Sequence, residues 1–178
     1  MVMKIFPEGL RQKMPTALDG TLAGQMQGLR LEVEVVAHVQ SYRQSRLWAT
    51  EAGGQLFGLI DENLVRVIRA TGPYAGDERS RYRYRSNAKA AQQAIEEQFR
   101  SGLLYLGEWH THAEDYPSAS SLDNDAMLKL MKNSDLNSNI LLMLIAGRKS
   151  SPAGLGLWSV ASSNVDQWSL SIPICSQS

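Results

Sequence analysis

The chain predicts an α/β domain, one sheet with helices packed on it. Three observations predict it. Short apolar runs of strand character recur along the chain, three stretches carry helical periodicity, and the two kinds are interspersed rather than segregated. The 178 residues show no repeat or internal linker and read as one domain spanning 1–178, long enough to bury a core without staples.

Taken in order, residues 1 to about 28 are weakly patterned and read as a short strand or arm followed by a loop. From Glu32 to about Gln44, Val35, Val36, Val39 and Tyr42 fall on one helical face. The segments 54–60 (GQLFGLI) and 64–70 (LVRVIRA) flank Asp61-Glu62-Asn63 and predict a hairpin. GPYAGDE at 72–78 is a loop by its Gly and Pro content, and RSRYRYR at 79–85 alternates strictly, as a strand does. A helix is expected from Asn87 to about Arg100, with Ala91, Ile95 and Phe99 at four-residue spacing. LLYLGEWHTH at 103–112 reads as a buried strand that turns polar at its end, followed by a loop at 113–119. Ser120 or Ser121 then caps a helix through about Asn133, with Leu122, Met127, Leu130 and Met131 inward. Strands at 140–147, 154–162 and 167–174 complete the chain.

Composition narrows the function classes. Hydrophobic residues make up 43% and charged residues 20%, the balance of a soluble globular protein. Formal net charge is zero, which argues against a general attraction to nucleic acid or an anionic membrane. The single cysteine, Cys175, excludes an internal disulfide and a cysteine-rich zinc module, and it is assigned no role. No signal peptide is visible in MVMKIFPEGL, and the apolar run at 140–146 is too short to span a bilayer, so a cytoplasmic location is expected.

The chemistry concentrates in GEWHTHAEDYPSASSLD. His110 and His112 are two apart at a strand end, so both imidazoles can reach one point. Asp123 follows eleven residues after His112 and can return to them on the first turn of a helix. Two nitrogens and one carboxylate oxygen, with a fourth position left to water, are the pattern of a catalytic zinc. Ser120 with Asp123 three residues on equally reads as a helix capping box, and the two readings are compatible. A hydrolytic zinc needs a proton shuttle, and Glu51 in EAGGQLFG is the candidate, ahead of a double glycine that permits close backbone approach. By itself that segment reads more simply as an exposed loop glutamate.

Together these pieces resemble the JAMM (MPN-domain) zinc metalloproteases of prokaryotic JAB type. The likeness rests on EAGGQLFG, His110-Thr111-His112 and Ser120-Ser121-Leu122-Asp123, in that order and spacing. It implies the MPN fold, a central mixed β-sheet with flanking helices and cytidine-deaminase-like layering. It also implies that His110, His112 and Asp123 hold one Zn²⁺, that Glu51 moves the proton, and that Ser120 donates to the oxyanion. Cleavage after the C-terminal tail of a ubiquitin-like protein is the activity implied. Where the family usually has proline after the second histidine, this chain has Ala113, which should loosen the loop and removes no ligand. Within the family the chain is similar to the deconjugating proteases of bacterial CBASS antiphage operons. There an E1–E2-like ligase attaches a CD-NTase-type nucleotidyltransferase to targets, and the protease removes it.

Other residues carry weaker expectations. On one strand, Arg79, Arg81, Arg83 and Arg85 would share a face, either solvated or forming a basic wall of a substrate groove to which an extended tail adds. Glu108 shares the ligands' parity and could orient a histidine, while Trp109 should point into the core. His38 reads as a structural histidine, and Glu114 and Asp115 as solvated loop acids. The competing functions are a non-catalytic MPN scaffold, or a protease that matures a ubiquitin-like modifier or sulfur-carrier precursor. Scaffolds typically lack ligands that are all present here. A zinc deaminase is excluded because it needs more cysteines, and a two-metal nuclease would want more carboxylates near the histidines.

Overall fold

The computed structural model describes residues 14–134, 136, 140–162 and 164–174. Cys175 lies outside them, as do residues 1–13 of the weakly patterned N-terminal stretch. In chain order the elements are β1 (Leu18–Thr21), β2 (Gly28–Leu31), α1 (Val33–Ser41), β3 (Gly53–Ile60), β4 (Leu64–Ala70), β5 (Glu78–Ser80), β6 (Arg83–Arg85), α2 (Ala88–Arg100), β7 (Leu104–Thr111), α3 (Ser121–Asn133), β8 (Leu141–Ala146), β9 (Leu155–Val160) and β10 (Val165–Ser171).

Eight strands form one mixed sheet in the order β1-β10-β9-β8-β7-β3-β4-β2, and the β1–β2 pair closes it into a barrel. Two pairs are parallel, β2–β4 and β7–β8, and the rest are antiparallel. The mixed sheet with flanking helices is the expected α/β architecture. The closing pair was not legible in the sequence, because two four-residue strands joined through Gly24 are too short to show a period. Among the described residues no helix is long and apolar enough to cross a membrane.

Both faces of the central strands are covered. On one, Leu56, Trp109, Leu142, Leu144, Leu157 and Trp168 join Val35, Val36 and Val39 of α1 in a single cluster. On the other, Met143, Ile145, Trp158 and Val160 lie under Met127 of α3, with Leu128, Leu130 and Met131 packed alongside. Burial on both faces explains why β8 reads LLMLIA without alternation and is buried at every position.

Three helix and strand expectations are corrected. Leu122 is 78% exposed rather than inward. Asp123 takes the inward direction in the first turn of α3, and Leu122, about 100° round the helix, faces solvent. Phe99 is 61% exposed, while Ala94 and Gln98 are buried. Strict four-residue steps drift about 40° each from one face, so the stripe that packs alternates threes and fours. Residues 79–85 do not form one strand. Having left the main sheet, the chain pairs with itself as β5 and β6 around a turn at 81–82, so its backbone groups find partners. Arg79 lies opposite Tyr84, whereas Arg83 and Arg85 lie opposite Ser80 and Glu78, so the four arginines do not share a face.

One irregularity in β7 sets the direction of the site. Leu56 pairs with Gly107 and Phe57 with Tyr105, leaving Leu106 as the extra residue of a bulge. Tyr105 and Glu108 consequently share a face three residues apart, and the Tyr105 hydroxyl reaches Glu108 at 3.4 Å. Gly107 makes the bend at φ +147°, and a Cβ there would stand 1.9 Å from the Leu142 carbonyl oxygen. Gly107→Ala is expected to cost roughly 3 kcal/mol, through backbone strain and lost β7–β8 pairing. Urea unfolding of the two proteins, compared at equal m-value, checks this.

Candidate metal centre

The site lies where β7 ends. Its parallel neighbour β8 can be reached only by a crossover, and α3 supplies it. The crossover brings the first turn of α3 back over the strand end that carries His110 and, just beyond it, His112. His110 Nε2 and His112 Nε2 are 3.0 Å apart. Asp123 Oδ1 lies 3.2 Å from the first, and Asp123 Oδ2 lies 3.5 Å from the second. Ligand atoms of one tetrahedral zinc, each about 2.0–2.2 Å from the ion, sit roughly 3.3–3.6 Å from one another. With one ligand atom taken from each, the three side chains lie within 4.8 Å of one another and could close on one Zn²⁺, and among the described residues they are the group of histidines and acids able to hold an ion.

Asp123 is aimed by its helix cap. The Ser120 backbone N–H and hydroxyl donate to Asp123 Oδ2 at 2.8 and 2.5 Å, and the Asp123 N–H donates back to Ser120 Oγ at 3.2 Å. The capping box thus engages Oδ2 and leaves Oδ1 toward His110, so cap and ligand are one device. Burial pushes the Asp123 carboxyl up. The hydrogen bonds and charge of His110, with the bonds from Ser120, outweigh that and hold it below the usual carboxylate range. Burial lowers His112, the charge of His110 lowers it further, and Asp123 and Glu114 oppose, so its neutral, ligating form is favoured.

Glu51 is not the exposed loop glutamate that its segment suggested. It is 8% exposed, and burial pushes it up to about 7, with His110 opposing and Asp123 adding. A carboxylate poised there can hold a proton or release it near neutrality. Its backbone is fixed on both sides. Glu51 N–H donates to the Ser80 carbonyl at 2.7 Å, and Arg79 Nε donates to the Glu51 carbonyl at 2.6 Å. The double glycine that follows permits the close approach expected of it. A Cβ on Gly54 would stand 1.8 Å from the Thr71 carbonyl oxygen, and one on Gly53 would stand 2.4 Å from the Tyr84 ring.

Thr111 went unnoticed in the sequence. Fully buried between the two histidines, it donates its N–H to the Ala52 carbonyl at 2.9 Å, and its Oγ1 accepts the Ala52 N–H at 3.0 Å. This pair of hydrogen bonds joins Ala52, next to Glu51, to the residue between the histidines across 59 residues of chain. The only signal was a hydroxyl at the inward-facing position of an otherwise apolar strand face.

The remaining expected residues divide. Arg79 and Arg81 are occupied within the protein, Arg79 on Glu51 and Arg81 on the carbonyls of Arg46 and Leu47. Arg83 and Arg85 are exposed, and among the described residues they make no ion pair. Glu108 shares the face of His110, but its hydrogen bonds are to Gln55 and Tyr105 rather than to that histidine; burial pushes its carboxyl up, opposed by the bond from Gln55, the charge of His110 and the bond from Tyr105. Trp109 is buried and donates to the Thr71 carbonyl at 2.8 Å. His38 packs against that ring and donates Nε2–H to the Gly72 carbonyl at 2.8 Å, a structural role as expected. Glu114 and Asp115 are solvated loop acids as expected, each nearly half exposed, and both are also bonded. Ser118 donates N–H and hydroxyl to Glu114, and Arg148 pairs with Asp115 at 2.8 Å. These bonds hold the loop that Ala113 leaves without a proline.

Residues 33–164 match the family described as prokaryotic homologs of the JAB domain. A protein of Escherichia coli (strain TW11681) named CD-NTase/cGAS isopeptidase is 34% identical over 119 residues, 65% of this chain and 74% of the relative. One of the same name from Vibrio cholerae serotype O1 is 34% identical over 118 residues, 65% of this chain and 73% of the relative. The solution structure of a protein from Desulfitobacterium hafniense superposes with a TM-score of 0.54 at 20% identity, covering 75% of this chain and 82% of the other, a likeness of fold alone.

Two measurements probe the centre. Elemental analysis of the purified protein is expected to give one zinc per chain, and Asp123→Ala and His110→Ala are each expected to lose it. Thr111→Val leaves the buried Ala52 N–H without an acceptor and should cost about 1–3 kcal/mol, whereas Thr111→Ser should be nearly neutral. Thermal unfolding separates the two.

Proposed function

The chain belongs to the family of prokaryotic homologs of the JAB domain, and from that premise we propose that it removes protein conjugates. It is a JAMM-type zinc metalloprotease with one catalytic Zn²⁺, and it is related to the CD-NTase/cGAS isopeptidases. The reaction proposed is hydrolysis of the peptide or isopeptide bond that follows the C-terminal tail of a conjugated protein. That protein is a CD-NTase-type nucleotidyltransferase or a ubiquitin-like protein, attached by an E1–E2-like ligase in a bacterial antiphage system. The work is placed in the cytoplasm, where a lone cysteine is unremarkable.

The convergence of His110, His112 and Asp123 beside a buried Glu51 carries this reading. Zinc bound there supplies a Lewis acid that polarises the scissile carbonyl and acidifies the attacking water. Glu51 takes the proton from that water and returns it to the leaving amine, a task suited to a carboxyl raised to about 7. Ser120, already beside Asp123, turns its hydroxyl toward the oxyanion as the tetrahedral intermediate forms. Meanwhile the β5–β6 hairpin fixes Glu51 through Arg79 and offers Arg83 and Arg85 on its other face to acidic groups of the substrate. Its short strands have edges to which an extended tail can add.

The test is cleavage of a fusion in which a CD-NTase tail, or separately a ubiquitin-like tail, is joined to a reporter. Zinc-loaded protein is expected to cut after the tail, and chelation to stop it. Glu51→Gln should keep its zinc and lose about 10²–10⁴-fold in rate. If Glu51→Gln cuts like the parent, or neither fusion is cut, the reading fails.

A further inference from the structure

Beside the metal centre a cleft of about 580 Å³ opens between α2 and α3, over β3 and β7. Ala88, Ala91 and Ile95 of α2 and Leu130 of α3 give it apolar stretches, with Gln92 and Asn133 between them. Gln55, Tyr105 and Glu108 of the strands are polar, and among the described residues no lysine or arginine lines it. Glu108 is held in place there. Gln55 Nε2 and the Tyr105 hydroxyl both donate to Oε1 at 3.4 Å, and Gln55 is itself fixed by the Tyr74 hydroxyl at 2.6 Å. Among the described residues Oε2 accepts no hydrogen bond. A positioned carboxylate with one oxygen uncommitted, at the end of a channel with small aliphatic sides, suits a long methylene stem with a cationic head.

The cleft also has a defined distance from the chemistry. Glu108 is two residues before His110 on the same strand face, about 6.6–6.8 Å along the strand. An extended peptide repeats same-side side chains at that interval, so a substrate lying over the metal centre places a side chain here within a few residues of the scissile bond. We propose that this cleft is a specificity subsite for a lysine or arginine of the substrate's C-terminal tail, whose charged head is received by Glu108. The inference rests on the deconjugase reading above. An enzyme that frees one protein from many targets must read the constant partner, which is the tail.

The experiment uses zinc-loaded full-length protein and tail fusions carrying arginine, alanine or glutamate at each of the last few positions before the scissile bond. At one position arginine is expected to raise kcat/KM about tenfold over alanine, mainly through KM, with glutamate poorer still. Glu108→Gln should remove that advantage. So should Ala91→Phe, which narrows the cleft from α2 without touching the carboxylate. Zinc content and melting temperature establish that each variant is folded. No advantage for arginine at any position, or an advantage that persists in both folded variants, overturns the subsite. If no fusion is cut at all, the deconjugase reading fails separately. Calorimetry with an arginine-containing tail peptide then decides the cleft: binding about tenfold weaker in Glu108→Gln supports it, and equal or absent binding overturns it.

Discussion

The pairing of β7 between antiparallel β3 and parallel β8 is the constraint on which the site depends. The antiparallel neighbour brings Ala52, and with it Glu51, beside Thr111. The parallel neighbour demands a crossover, and the crossover returns Asp123 to the strand end. Remove either pairing and Glu51 or Asp123 is lost from the site. The strand can serve both neighbours because it is buried on both faces, with Trp109 fixed in one core while His110 faces α3.

Around this strand, structural and chemical roles fall on the same atoms. The capping box at Ser120 starts a helix, and it also turns one oxygen of Asp123 toward the histidines. Arg79 ties down a hairpin, and it also fixes the backbone of Glu51. The bulge at Leu106 shifts the β3–β7 register, and it also puts Tyr105 and Glu108 on the face of the ligands. Such sharing places the groups of the centre before anything binds, the preorganisation that electrostatic catalysis requires.

The loop after His112 shows how one local feature can replace another. Where a proline would limit the backbone, this chain has Ala113, and the loop is held instead by Ser118 on Glu114 and by Arg148 on Asp115. Arg148 N–H also donates to the Glu114 carbonyl at 2.6 Å, which ties the loop to the segment after β8. Long-range polar contacts of this kind leave no periodic trace in a sequence, which is why Glu114 and Asp115 read there as solvated, which they are, but not as bonded.

The sequence by itself determined the layered α/β class, the strand ending in His110 and His112, the helix beginning at Ser120, and the chemistry of the ligand set. Each of these is local: period, cap preference and donor type are properties of a few neighbouring residues. Tertiary structure decided the rest. It closed the sheet through two short strands, folded 79–85 back on itself, turned Leu122 and Phe99 outward, and buried Glu51 so that its segment ceased to be an ordinary loop. It alone joined Thr111 to Ala52 and enclosed the cleft over Glu108. The physical reason is common to all of these. Burial, register and closure are set by which distant segments pair, and that choice is made by the whole core rather than by any stretch of residues within it.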